Sequence, residues 1–110
     1  MKTAIIGSRS LTIDISEFVP DGTNLIISGG AKGIDTMAEK YADERSIPKL
    51  IFKPEYNKYG ASATLVRNRS IVEASDIVIA IWDGESSGTK YMIEYAKKVG
   101  KPANINVILK

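Results

Sequence analysis

Three short segments of the chain combine glycine, serine and single charged residues in a way that suits anion binding. They are GSRS at residues 7–10, SGGAKGID at 28–35 and DGESSGT at 83–89. Glycine lets the backbone turn and lets a ligand approach main-chain N–H groups. The second and third segments precede predicted helices, whose first N–H groups lack partners and carry the positive end of the helix dipole. The sequence therefore predicts a phosphate site built from these loops.

A fourth motif, VRNRS at residues 66–70, adds two further candidates. Arginine suits forked recognition of phosphate, so we expect Arg67 to face the ligand. Asn68 falls on a helical stripe with Leu65 and Val72, where a buried amide needs hydrogen-bond partners, and it is expected to brace a loop. The candidate ligand-binding residues are Gly7, Ser8, Arg9, Ser28, Gly29, Gly30, Ala31, Gly33, Asp35, Arg67, Asn68, Asp83, Ser87, Gly88 and Thr89.

Two of the candidate contacts have a second interpretation. Asp35 either accepts a hydrogen bond from a ribose hydroxyl or only interacts with the dipole in the first turn of its helix. Tyr56 or Tyr59, in the turn-rich segment 54–60, either stacks on a base or packs against the protein. Both alternatives stay open from the sequence.

Composition excludes several kinds of chemistry. The 110 residues contain neither cysteine nor histidine, which rules out disulfides, thiolate chemistry, Ser-His-Asp triads and imidazole metal ligands. Any general acid or base has to be a carboxylate, a tyrosine or a lysine. The formal net charge of +2 is too small to indicate a nucleic-acid partner by itself. We predict no metal site.

The elements that position these residues follow from the apolar pattern. Apolar runs of strand length cover residues 2–6, 24–28, 49–53, 76–82 and 104–109. Three runs are nearly continuous in Ile, Val and Leu, which is typical of parallel strands covered on both faces. Helical spacing marks residues 34–42, 61–74 and 89–99, and residues 11–19 are expected to form a short helix or an irregular turn.

Alternating strands and helices predict one α/β domain over residues 1–110, a three-layer Rossmann-like sandwich. We expect about five parallel strands in the order 3-2-1-4-5, with helices on both faces. Ligands of such sheets bind at the carboxyl ends of the strands, near the reversal of strand order. The glycine-rich loops leave the predicted strands at that edge.

Taken in order, these motifs resemble the SLOG superfamily, the Rossmann-like group that includes DprA/Smf and LOG-type proteins. The resemblance covers nearly the whole chain. It rests on IIGSR at 5–9, ISGGAKGIDTMAEKYA at 27–42, PEYNKYGASATLVRN at 54–68 and SDIVIAIWDGESSGTKYMIEYAKKVGKP at 75–102. The chain looks closest to the small single-domain, YspA-related branch described as nucleotide-binding. The resemblance implies a nucleotide or nucleotide-derived ligand held by the candidate residues, and it implies dimers.

Three functions follow from the resemblance and the residues. The leading one is a binding module that senses or carries a nucleotide-like ligand. The second is LOG-like cleavage of an N-glycosidic or phosphate bond, with Asp35, Asp83 or Glu85 as the acid or base. LOG proteins carry a PGGxGTxxE motif, whereas the next glutamate here is Glu94, which the helix period turns away from Thr89.

The third function is DprA-like binding of single-stranded DNA. It needs one basic edge with stacking tyrosines nearby. That edge would consist of Arg9, Lys32, Arg67, Arg69 and Lys90.

The apolar runs also lead to predictions of cellular location and oligomeric state. No apolar run approaches the roughly 20 residues that span a bilayer, and the apolar part of residues 1–7 is too short for a secretory signal. We therefore expect a cytoplasmic protein with no membrane partner. We also expect a homodimer or higher homo-oligomer, with Ile71 and Met92 as exposed apolar candidates for its interface.

Overall fold

Strands and helices alternate along the chain in the computed structural model, which describes residues 1–109. The strands are β1 (Lys2–Gly7), β2 (Leu25–Ser28), β3 (Lys49–Ile51), β4 (Ile77–Trp82) and β5 (Ala103–Val107). The helices are α1 (Ile34–Glu44), α2 (Tyr56–Tyr59), α3 (Ala63–Ala74) and α4 (Ser87–Lys98). Short 3₁₀ turns occur at Ser16–Phe18 and Gly60–Ser62.

The five strands form one parallel sheet in the order β3-β2-β1-β4-β5. This confirms the predicted α/β Rossmann-like sandwich and its strand order. In the register of the sheet, Ala4 lies beside Ile27 on β2 and beside Val78 on β4. The near-continuous apolar runs of β1 and β4 form the two central strands, where both faces are covered.

Side chains from alternate positions of β1, β2 and β4 enter two separate apolar cores. One core lies between the sheet and the pair α3 and α4, and the other between the sheet, α1 and the segment around Leu11 and Ile15. Ile6 points into the first core and the adjacent Ile5 into the second. This alternation places helices on both faces of the sheet and makes the three layers.

Several element bounds differ from the sequence prediction. Pairing of β3 stops at Ile51 rather than at residue 53 because its neighbour β2 ends at Ser28. The segment 11–19 contains only one 3₁₀ turn, whereas the expected turn at 54–60 includes the helical turn α2. The helix expected from residue 61 begins as a 3₁₀ turn and becomes α-helical at Ala63.

The structure corrects the expected interface residues. Ile71 is 2% exposed and Met92 is 6% exposed, because both side chains belong to the core beneath α3 and α4. A homo-oligomer therefore stays a prediction that needs a different surface. Among the described residues, no helix is long and apolar enough to cross a membrane.

Candidate functional site

A cleft of about 470 Å³ opens at the carboxyl ends of β1 and β4. These neighbouring strands lead to opposite faces of the sheet, and the space that this reversal leaves is where open α/β sheets bind ligands. The volume falls within the range of small-molecule sites. The lining residues are Ile6, Gly7, Ser8, Arg9, Ser10, Ala31, Asp35, Thr64, Arg67, Asn68, Ile71, Asp83, Ser86, Ser87, Gly88, Thr89 and Met92.

Ser8 joins the loop after β1 to the other two loops. Its carbonyl oxygen accepts a hydrogen bond from the N–H of Ile34 at the start of α1, at 3.3 Å. Its hydroxyl oxygen accepts one from the N–H of Asp83 after β4, at 2.9 Å. Ser8 is 1% exposed, so both contacts are shielded from water. The three loops thus form one connected unit around the cleft.

Two of the predicted glycines are required by the close packing of these loops. A Cβ at Gly7 would lie 2.2 Å from the carbonyl oxygen of Ile81. A Cβ at Gly33 would lie 2.4 Å from the carbonyl oxygen of Ser8, and Gly33 has a φ of +71°. Gly33 does not line the cleft. The lack of a side chain at Gly33 therefore allows α1 to approach the loop after β1, and it is not needed for contact with a ligand.

Asp83 organises the loop that leads into α4. Its Oδ1 accepts hydrogen bonds from the N–H groups of Glu85 and Ser86, each at 2.9 Å, and its Oδ2 accepts one from the Ser10 hydroxyl at 2.9 Å. The two N–H groups hold the pKa of Asp83 well below its ordinary range. Asp83 is therefore an ionised bracing residue and a poor general base. Glu85 is exposed and does not line the cleft.

The first turn of α4 presents unpaired donors to the cleft. No side chain caps the helix, and the N–H groups of Ser87, Gly88 and Thr89 have no hydrogen-bond partner among residues 1–109. All three residues line the cleft. Gly88 has no positive φ, and a Cβ there would meet no atom within 4 Å. The other eight glycines each show a positive φ or a contact within 4 Å, so Gly88 is the glycine that the described fold does not require.

Asp35 lines the cleft from the first turn of α1. Its Oδ2 accepts a hydrogen bond from the N–H of Ala31 at 3.1 Å. Burial raises the pKa of this carboxyl, although the Ala31 N–H and the Arg67 charge oppose the shift. Beside it, the fully buried hydroxyl of Ser28 makes no hydrogen bond of ordinary geometry, yet it lies close enough to lower the pKa of Asp35. Asp35 is thus the lining carboxyl that is suited to exchange a proton or to bind a hydroxyl.

Arg67 combines bracing with exposure to the cleft. Its Nη1 donates to the carbonyl oxygen of Gly29 at 2.8 Å, and its Nε donates to Oδ1 of Asn68 at 2.7 Å. A Cβ at Gly29 would lie 2.7 Å from Nη1, so glycine leaves room for the arginine. Sequence reasoning expected Asn68 to brace the loop and Arg67 to face the ligand. In the structure Arg67 braces the loop itself, and Asn68 orients Arg67.

A second arginine strengthens the positive side of the cleft. Arg9 is exposed and lines the cleft. Burial lowers the pKa of Arg67, the charge of Asp35 opposes that shift, and the charge of Arg9 lowers the pKa further, because the two guanidinium groups repel each other. An anion between them would relieve their repulsion.

Most predicted site residues meet at this cleft, and four do not. The four that do not line the cleft belong to the end of β2 and the loop that follows it: Ser28, Gly29, Gly30 and Gly33. Tyr56 and Tyr59 are 61% and 37% exposed and do not line the cleft, so neither forms part of its wall.

Several lining residues were missing from the sequence prediction. They are Ile6, Ser10, Thr64, Ile71, Ser86 and Met92. Helical spacing contained a signal for two of them, because Thr64 and Ile71 lie three and four residues from Arg67. Ser10 and Ser86 lie in the predicted loops, each next to a predicted ligand-binding residue.

The fold and the site define a Rossmann-like α/β protein with a partly cationic cleft at its strand-order reversal. The chain matches no protein-family model, no curated protein and no solved structure. Among the described residues, no group of three carboxylates is placed to hold a metal ion.

Proposed function

We propose that this protein binds a nucleotide or nucleotide-derived ligand in the cleft, as a sensor or carrier, and that the phosphate contacts the first turn of α4. The observation that carries the proposal is the combination of three free N–H groups with Gly88. A glycine in the first turn of a helix costs stability relative to alanine, and here the fold does not require it. A ligand that approaches these N–H groups closely would need the space that a side chain at residue 88 would fill, which explains the glycine.

The charges around the cleft support the same ligand class. Arg9 and Arg67 supply positive charge, while the carboxylate of Asp83 is already occupied by three hydrogen bonds. The loops that carry these residues also carry the resemblance to the SLOG superfamily. We further propose that the chain belongs to that superfamily and that the protein is cytoplasmic.

A thermal-shift screen tests the proposal. The panel contains AMP, ADP, ATP, cyclic nucleotides, NAD, ADP-ribose, nucleoside monophosphates and a short oligothymidine. A ligand at 100 times its dissociation constant stabilises by ~2.7 kcal/mol, or on the order of 10 °C for a domain of this size. We expect a shift with at least one phosphorylated small molecule. Absence of any shift, with no binding by calorimetry, would contradict the proposal.

Hydrolysis of the ligand is a second candidate, and one observation favours it. Asp35 is a cleft-lining carboxyl whose pKa is raised by burial, as a general acid requires. Incubation of each binding nucleotide with the protein, followed by chromatography, would reveal free base or phosphate. If the protein releases base or phosphate and the Asp35→Asn variant does not, hydrolysis is supported. If the nucleotide binds without turnover, the function as a sensor or carrier is supported.

Single-stranded DNA binding receives less support from the arrangement of the basic residues. Nε of Arg69 donates to the hydroxyl of Tyr91 at 2.8 Å, and its guanidinium lies 5.7 Å from the ring centroid of Tyr95. Arg69 does not line the cleft with Arg9 and Arg67. If the oligothymidine in the panel binds, its affinity should fall steeply with salt concentration.

A further inference from the structure

We infer that the cleft recognises the phosphorylated sugar of its ligand and does not read the base. The inference rests on the proposed function and narrows it to a ligand class. Pentose 5-phosphates should bind about as tightly as mononucleotides, and nucleotides with different bases should bind alike.

The cleft lacks the aromatic surface on which proteins often stack a base. Among residues 1–109, no aromatic side chain lines it. Bases are commonly held by stacking on aromatic rings or between broad apolar walls. The large apolar residues of the lining are Ile6, Ile71 and Met92, and each is at most 6% exposed because it is packed in the core. These three side chains therefore present little of their own surface to a ligand.

The polar side chains of the lining suit a sugar instead. Hydroxyl and amide groups line the cleft, and they can exchange hydrogen bonds with sugar hydroxyls. They are Ser10, Thr64, Asn68, Ser86, Ser87 and Thr89. The carboxyl of Asp35, in the first turn of α1, adds an acceptor.

The nearest aromatic candidate lies outside this lining. Tyr56 is close enough to influence the pKa of Arg67, but it is 61% exposed and sits in the segment before α3. Stacking on a single exposed ring would in any case discriminate poorly between bases. Recognition of the phosphate and the sugar is therefore separated from any contact with the base.

Calorimetric titration with four compounds tests the inference. Ribose 5-phosphate, AMP and UMP are expected to bind within about threefold of one another, and adenosine at least tenfold more weakly. AMP binding more than tenfold tighter than both ribose 5-phosphate and UMP would overturn the inference while leaving the proposed function intact. If none of these three phosphorylated compounds binds but another nucleotide of the panel does, the inference fails alone; if no compound of the panel binds, the proposed function and the inference fail together.

A pair of variants tests the assignment of Asp35 to the sugar. Asp35→Asn should weaken ribose 5-phosphate about tenfold and leave inorganic phosphate unchanged, because only the sugar meets the carboxylate. Glu94→Gln, on an exposed carboxylate of α4, is the matched control and should change neither affinity. Equal loss for ribose 5-phosphate and inorganic phosphate, or no loss for either, would exclude Asp35 from sugar recognition.

Discussion

Replacement of Gly88 by alanine should stabilise the protein and weaken its ligand binding at once. In the structure a Cβ at this position meets no atom within 4 Å, so the methyl group fits the protein without strain. In a helix the Cα–Cβ bond tilts toward the N-terminus, which here is the side of the proposed phosphate. The same methyl group therefore helps the helix and blocks the ligand.

The two effects have different sizes. Alanine is favoured over glycine by up to about 1 kcal/mol in the middle of a helix, and we expect about half of that in the first turn. For a domain of this length that raises the melting temperature by about 2 °C. Displacing the phosphate from its N–H donors removes hydrogen bonds to a charged group, each worth about 1.5–3 kcal/mol, so affinity should fall at least tenfold.

The assay is a pair of measurements on the same preparations. Thermal unfolding without ligand gives the change in stability, and calorimetric titration with the tightest compound of the panel gives the change in affinity. Glu94→Ala, on the exposed side of the same helix, is the control and should leave affinity unchanged. A Gly88→Ala variant that binds as tightly as the parent would refute the reasoning, because the phosphate would then not approach this turn.

Two further predictions concern the residues that brace the cleft. Arg67→Ala should weaken nucleotide binding at least tenfold while the fold persists. The affinity of Arg67→Lys should lie between those of the parent and Arg67→Ala, because lysine keeps the charge but lacks the forked guanidinium. Equal affinity of all three proteins by calorimetry would remove Arg67 from the site. Because the pKa of Asp83 lies well below the ordinary 3.8, the unfolded chain takes up this proton first, and stability falls as the pH drops below about 4. Asp83→Asn should flatten that part of the acid unfolding profile measured by circular dichroism, and an unchanged profile would show that Asp83 does not contribute to it.

Much of the fold could be predicted because its signals are local. Continuous apolar runs such as Ile77–Trp82 mark buried parallel strands, and helical spacing marks the elements between them. The position of the candidate site follows from the strand order, since every loop after a parallel strand leaves at the same edge of the sheet. These inferences need no knowledge of individual contacts.

The functions of individual residues depend on contacts that no local pattern shows. Gly33 and Gly88 look alike in the sequence, yet one is required by a backbone 2.4 Å away and the other has open space around it. Likewise, Arg67 reaches Gly29 across 38 positions of the chain. Ile71 and Met92 were expected on the surface because helical spacing identifies an apolar face but not what covers it.

The most direct test of the proposed site is an amide chemical-shift titration of the isotopically labelled protein with AMP. A phosphate at the start of α4 should shift the N–H signals of Ser87, Gly88 and Thr89 in a saturable way, with Arg9 and Arg67 side-chain signals following the same curve. Saturable shifts confined to the opposite ends of the strands, or no saturable shift with any phosphorylated compound of the panel, would contradict the assignment of this cleft as a nucleotide site.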